Sequence, residues 1–154
     1  MSFPNLNLPP ITLRTRPGAN GRPTVWDVLR RRYVTLTAEE WVRQHFVHYL
    51  IAECGYPAGL LANEIALDVG GVRRRCDTVL FAREGARPRV IVEYKAPQVP
   101  ITQEVFNQIQ SYNNVLKADY LIVSNGLRHY CCRMDYEGDR VFFLREIPRF
   151  EELI

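Results

Sequence analysis

At 154 residues, 47% apolar and 24% charged, the chain suits one compact domain with a sizeable core, and a disordered or fibrous class is excluded. The net charge of +3 is too small to mark a nucleic-acid binder by itself. Cys54, Cys76, Cys131 and Cys132 form no C-x-x-C pair, which argues against a zinc site or a disulfide framework and favours a reducing, cytoplasmic setting.

Residues 1–24 are rich in Pro, Gly and Asn and read as an irregular, basic N-terminal arm, with "PGANGRP" as a turn. Residues 1–36 carry six arginines against the single acid Asp27, net +5, so the remainder nets −2. Such a run is a solvated flank or a surface for something anionic. "TVWDVLRRRYVTL" fits a short strand or a helical turn equally well. The start of the chain lacks the charged-then-apolar plan of a signal peptide, and no apolar run has membrane length. No membrane partner is expected.

"TAEEWVRQHFVHYLIAECGY" has Thr37 as N-cap, Glu40 three positions later and Gly55 as a stop, which predicts a helix. "EIALDVGGVRRRCDTVLFA" predicts two strands joined at Gly70–Gly71. "REGARP" is a turn, "RVIVEYK" a third strand, and Pro97 and Pro100 end it. "TQEVFNQIQSYNNVLKA" predicts a second helix, "DYLIVSNG" a short apolar strand, and "RHYCCRMDYEGDRVFFL" a hairpin turning at residues 137–139. This order gives a mixed central sheet flanked by helices, an α/β or α+β domain.

The third strand ends on two charges, Glu93 and Lys95. Alternation puts them on one face with Ile91, and Val90, Val92 and Tyr94 on the other. If the preceding turn has its apex near Gly85, Asp77 lies directly opposite Glu93, with Cβ atoms ~5 Å apart. Two carboxylates so placed repel unless a cation sits between them, and hard oxygen ligands suit Mg²⁺ or Mn²⁺. A surface Glu–Lys pair is the bland alternative. The register with Asp77 favours a site.

Asp77 followed by "VIVEYK" resembles the PD-(D/E)XK nuclease core. More closely, the stretch from "TAEEWVRQHF" to "SNGLRHYCC" resembles the N-terminal nuclease domain of type I restriction enzyme R subunits, in a short stand-alone form. Cys76 stands where the family name has proline, and the resemblance does not extend to the motor that R subunits carry. The resemblance spans roughly residues 25–148 and implies a restriction-endonuclease-like domain over residues 25–154. It implies a metal held by Asp77, Glu93 and the Tyr94 carbonyl, with Lys95 orienting or deprotonating the attacking water. The activity would be Mg²⁺-dependent hydrolysis of DNA. The partners would be DNA, separate restriction-system subunits or a second copy in a homodimer.

Gln108 and Tyr112 form a Q-x-x-x-Y pair on one helix face, resembling a supporting motif of such nucleases, although a packed core edge gives the same spacing. The first helix should also supply a glutamate. Glu40 fits the capping box, whereas Glu39 falls within the apolar arc, so Glu39 is the expected site residue and Arg43 its ion-pair partner or a phosphate contact. Strand alternation puts Arg73 and Arg75 on the Asp77 face, as phosphate contacts or as charge balance. His45 and His48 lack a third ligand, His129 has no evident partner, and Glu64 and Asp68 have no evident role. A fold of this kind that binds nucleic acid without cutting it, or one that is purely structural, remains an alternative.

Overall fold

The computed structural model describes residues 3–85 and 87–154, apart from the side chains of Val69, Val72, Tyr112 and Val115. The N-terminal segment forms a three-stranded antiparallel sheet, β1 (Thr15–Pro17), β2 (Pro23–Asp27) and β3 (Arg32–Thr35). The expected irregular arm is therefore irregular only as far as Arg14. The ambiguous "TVWDVLRRRYVTL" is a hairpin because Asp27 caps its turn: Oδ1 accepts the N–H groups of Leu29 and Arg30, while Arg31 takes a positive φ of 55°.

Helix α1 (Ala38–Ala52) follows, with Thr37 Oγ1 accepting the Glu40 N–H at 3.0 Å. Then come β4 (Leu61–Val69), β5 (Val72–Phe81), β6 (Pro88–Tyr94), α2 (Gln103–Leu116), β7 (Tyr120–Ser124), β8 (His129–Asp135) and β9 (Arg140–Leu144). The six strands β4 to β9 form one sheet in chain order. All its neighbours are antiparallel except β6 and β7, which are parallel because α2 carries the chain back between them. The sheet is thus mixed, as the sequence predicts.

Each face of the sheet receives one helix. Val42, Phe46 and Leu50 of α1 pack on Leu80, Val90, Val92, Tyr94 and Ile122. Phe106, Ile109 and Leu116 of α2 pack on Cys76, Val79, Ile91, Leu121 and Cys132. The alternation expected along β6 holds: Ile91 faces α2, and Val90, Val92 and Tyr94 face α1. All four cysteines are buried and unpaired. Among the described residues no helix is long and apolar enough to cross a membrane.

The small sheet is fastened to the large one by a polar contact. Asp27, fully buried, accepts Asn63 Nδ2 on both oxygens, at 3.2 and 3.0 Å, and also pairs with the Arg30 guanidinium. Asn63 Oδ1 accepts Thr78 Oγ1, which in turn accepts the Tyr94 hydroxyl at 2.9 Å. Burial alone would raise the carboxyl pKa of Asp27; the hydrogen bonds from the Arg30 N–H, Asn63 and the Arg30 side chain outweigh it and hold the pKa below its ordinary value. Asp27→Ala would leave Arg30 Nε and Asn63 Nδ2 without their buried acceptor. Chemical denaturation should show a loss on the order of 3 kcal/mol, and a loss below about 1 kcal/mol would contradict this role.

Candidate active site

The site lies where β5 leaves β6. Their ladder ends at Thr78↔Val92, while β6 continues beside β7 through Tyr94↔Ser124 and β5 continues beside β4 to Val69↔Val72. In the resulting split, Asp77 Oδ2 accepts the Tyr94 N–H at 2.9 Å. A side chain has replaced the next rung of the ladder, which draws Asp77 towards Glu93. The sum of residue numbers in the Thr78↔Val92 pair is the one expected for Asp77 opposite Glu93. A bulge between Leu80 and Phe81 takes up the remaining offset of the turn.

The same register arithmetic at the Gly70–Gly71 turn, where both glycines take positive φ (57° and 80°), places Glu64 opposite Asp77. Asn63↔Thr78 and Ile65↔Cys76 flank that position. Glu64 itself has φ 54°, a left-handed conformation inside a strand. Its consequence is visible on both sides: Asn63 and Thr78 join the polar contact under α1, whereas Ile65 and Cys76 pack in the α2 cluster. Alternation breaks at this one rung. Glu64 had no role in the sequence; only the turn arithmetic, applied twice, would have drawn attention to it.

Arg43 crosses from α1 to this rung. It is 6% exposed, donates from Nη1 to the Asp77 carbonyl at 2.8 Å and from Nη2 to Glu64 Oε1 at 2.6 Å. Its Nε lies 3.2 Å from Glu40 Oε2, without the alignment of a hydrogen bond. Burial would lower its pKa, but Glu40, Glu64 and Asp77 together raise it, so Arg43 stays charged.

The expected inward facing of Glu39 is corrected. Glu39 is exposed, while Glu40 is buried and accepts Arg30 Nη2 at 2.8 Å and Gln44 Nε2 at 2.7 Å. Only half of the capping box forms. The Glu40 carboxylate turns away from the helix end because two arginines, one from the N-terminal hairpin, reach it. Arg75 is 71% exposed and sits 3.6 Å from Glu64 Oε2. The break at Glu64 and Asp77 also corrects the expected shared face. Arg74, not Arg75, borders the α2 side of the sheet, in a shallow depression with Glu104, Asn107, Gln108 and Ser111. Arg73 is exposed on the hairpin. Gln108 is therefore on the Glu93 side of the sheet, where it is exposed. The side chain of Tyr112 lies outside the described residues. His45 bonds the Trp41 carbonyl, and His129 bonds Ser124 Oγ and the Asn7 carbonyl, so both are structural.

The electrostatics of the carboxylate pair are lopsided. Burial, the charge of Asp77 and a side-chain hydrogen bond to it push Glu93 up to about 9, against a smaller opposing pull from Lys95. Glu93 Oε1 is buried and has no hydrogen-bond partner. A buried, partnerless carboxylate oxygen beside a second carboxylate fits a cation. Among the described residues no three His, Cys, Asp or Glu side chains converge on one point. Two carboxylates as donors suit Mg²⁺, with water completing its shell, better than Zn²⁺.

Residues 38–148 match the family model of the type I restriction enzyme R protein N terminus. The chain belongs to that family. Its fold is similar to the fragment structure of a protein assigned as an HsdR subunit of a type I restriction enzyme from Vibrio vulnificus YJ016, at 21% identity and a TM-score of 0.56. The similarity covers 77% of this chain and 24% of that one, so this chain spans about a quarter of the relative's length. No curated protein matches the chain.

Metal-free stability should carry the signature of Glu93. A carboxyl whose folded pKa is raised binds more protons folded than unfolded between about 4.5 and about 9. Its stabilising contribution is complete at acid pH and is lost as pH rises through that window. In EDTA at pH 8, Glu93→Gln should melt about 2–5 °C above the native protein, with the difference vanishing near pH 5. A variant less stable at pH 8 would contradict the assignment.

Proposed function

We propose that this domain hydrolyses DNA phosphodiester bonds in a metal-dependent reaction of the PD-(D/E)XK type. The observation that carries the reading is the forced pairing of Asp77 with Glu93, one of whose oxygens is buried without a partner. Asp77, Glu93 and the Tyr94 carbonyl would hold Mg²⁺ or Mn²⁺, which when bound supplies Lewis-acid polarisation of the phosphate and lowers the pKa of attacking water.

The chain's own residues divide the remaining work. Lys95, one residue past β6, is fixed through its N–H to the Ser124 carbonyl at 2.9 Å. Its ammonium orients the attacking water and donates to the charge that develops on phosphorus. Arg43 holds the Asp77 backbone in place, and Glu40 takes the position from which Glu39 was expected to act, by holding Arg43. These two are positioning residues. Gln108, and on the hairpin Arg73 and Arg75, suit contacts to the DNA around the site rather than to the ion. DNA and the other subunits of a restriction system are the partners this reading implies, in the cytoplasm, with a homodimer as another route to cutting both strands.

Supercoiled plasmid and single-stranded DNA, each with Mg²⁺ or Mn²⁺ and with EDTA, test the reading. Cleavage should require metal and fall at least ~100-fold in Asp77→Asn and in Lys95→Ala, while Glu39→Ala stays within about twofold. Cleavage indifferent to Asp77 and Lys95 would overturn the site. Arginine-dependent DNA binding with no cut of any substrate would instead make the domain a non-cleaving module.

A further inference from the structure

The N-terminal sheet presents two unlike faces. Val25 and Asp27 of β2 are fully buried and point into the body. Cross-strand pairing aligns Arg16, Thr24 and Thr35 in one row of the opposite face. Trp26 pairs with Tyr33 and bonds the Arg14 carbonyl through its N–H at 2.8 Å, which makes Arg14, Trp26 and Tyr33 the second row.

On that outer face each aromatic ring carries an arginine. The Arg16 guanidinium carbon lies 3.8 Å from the Tyr33 ring centre, and that of Arg14 lies 5.2 Å from Trp26. The two rings meet edge to face at 5.2 Å. Stacking of this kind removes much of the rotamer freedom of a long side chain while leaving the N–H edges of the guanidinium outward. Arg22, Arg31 and Arg32 at the ends of the same strands are also exposed. The only acid in residues 1–36 is Asp27, and it is turned inward. The face is uniformly positive and preorganised.

Its place in the molecule is fixed. Asp27, on the back of this sheet, bonds Asn63, which bonds Thr78, the neighbour of Asp77. Arg30, in the β2–β3 turn, bonds Glu40, which lies 3.2 Å from Arg43. The small sheet is therefore anchored to the strand that carries Asp77, although it lies before residue 38, where the family match begins.

We propose that the outer face of the β1–β3 sheet, centred on Arg14 and Arg16, grips the phosphate backbone of duplex DNA and holds it against the Asp77–Glu93 site. Planar forked donors held on rings match pairs of phosphate oxygens. With the rings covered by guanidinium groups, the contact reads backbone and not base. The proposal rests on DNA as the substrate.

Binding of a fluorescein-labelled 20-base-pair duplex in EDTA, followed by anisotropy over a range of salt concentrations, tests it without cleavage. Arg14→Ala/Arg16→Ala should weaken binding at least ~10-fold near 100 mM salt, and lower the slope of log K against log salt by about 2. An unchanged melting temperature would show the fold intact, and Arg14→Lys/Arg16→Lys should restore most of the salt slope but only part of the affinity. Affinity and slope unchanged in the alanine variant would overturn the proposal, as would polyglutamate competing as well as DNA at equal charge. Arginine-dependent binding by a protein that cuts nothing leaves this proposal standing and fails the nuclease reading; metal-dependent cutting with binding indifferent to both arginines does the reverse.

Discussion

Arg43 decides how the helix and the sheet meet. Its guanidinium is buried and answers three separate needs: the carbonyl of Asp77, the carboxylate of Glu64 and the charge of Glu40. Removing one partner from such a buried arrangement typically costs about 3–5 kcal/mol, because the remaining charges stay out of water. Since Arg43 takes the backbone of Asp77, the carboxylate of Asp77 is left to reach across the split to Tyr94 N–H. Arg30 and Arg43 lie among three carboxylates, Asp27, Glu40 and Glu64, and the exposed Arg75 also sits near Glu64. Burial first, and then the charge of Asp77 against a smaller pull from Lys95, leave Glu93 short of compensation and push its pKa up.

The split between β5 and β6 is what makes that shortage useful. A continuous ladder would have put the two carboxylates on a closed face, with every backbone group committed. Here the left-handed turn at Glu64 and the missing rung at Asp77 open the sheet at one level. The β4–β5 ladder resumes on either side of it, at Asn63↔Thr78 and Ile65↔Cys76. Local strain of this kind persists only where the surroundings over-determine it, and Arg43, Asn63 and Thr78 do so from three directions.

Much of this was legible in the sequence because it depends on local rules. Helix α1 was readable from Thr37 and its apolar arc, the β4–β5 turn from Gly70–Gly71, and the opposition of Asp77 and Glu93 from the position of one turn. What was not legible depends on partners distant in the chain. Glu40 leaves the helix N-terminus for Arg30, ten residues back, which no wheel or capping rule contains. Glu39, inward on the wheel, is exposed because the N-terminal hairpin and the sheet meet α1 on the side of Glu40. The hairpin itself needed Asp27 to be recognised as a buried cap, since the pattern of the stretch alone fits a short strand or a helical turn equally well. Gln108 kept its helical spacing but lies at the surface, since spacing fixes a face and not a depth.

The account depends on the Asp77–Glu93 pair being a cation-binding centre. Calorimetric titration of the purified protein with Mn²⁺ measures that directly, and does not depend on having the right DNA. One ion per chain should bind to the native protein and to Glu39→Gln, and binding should be lost in both Asp77→Asn and Glu93→Gln. An ion that binds equally well without Asp77 and Glu93, or native protein that binds none, would contradict the account.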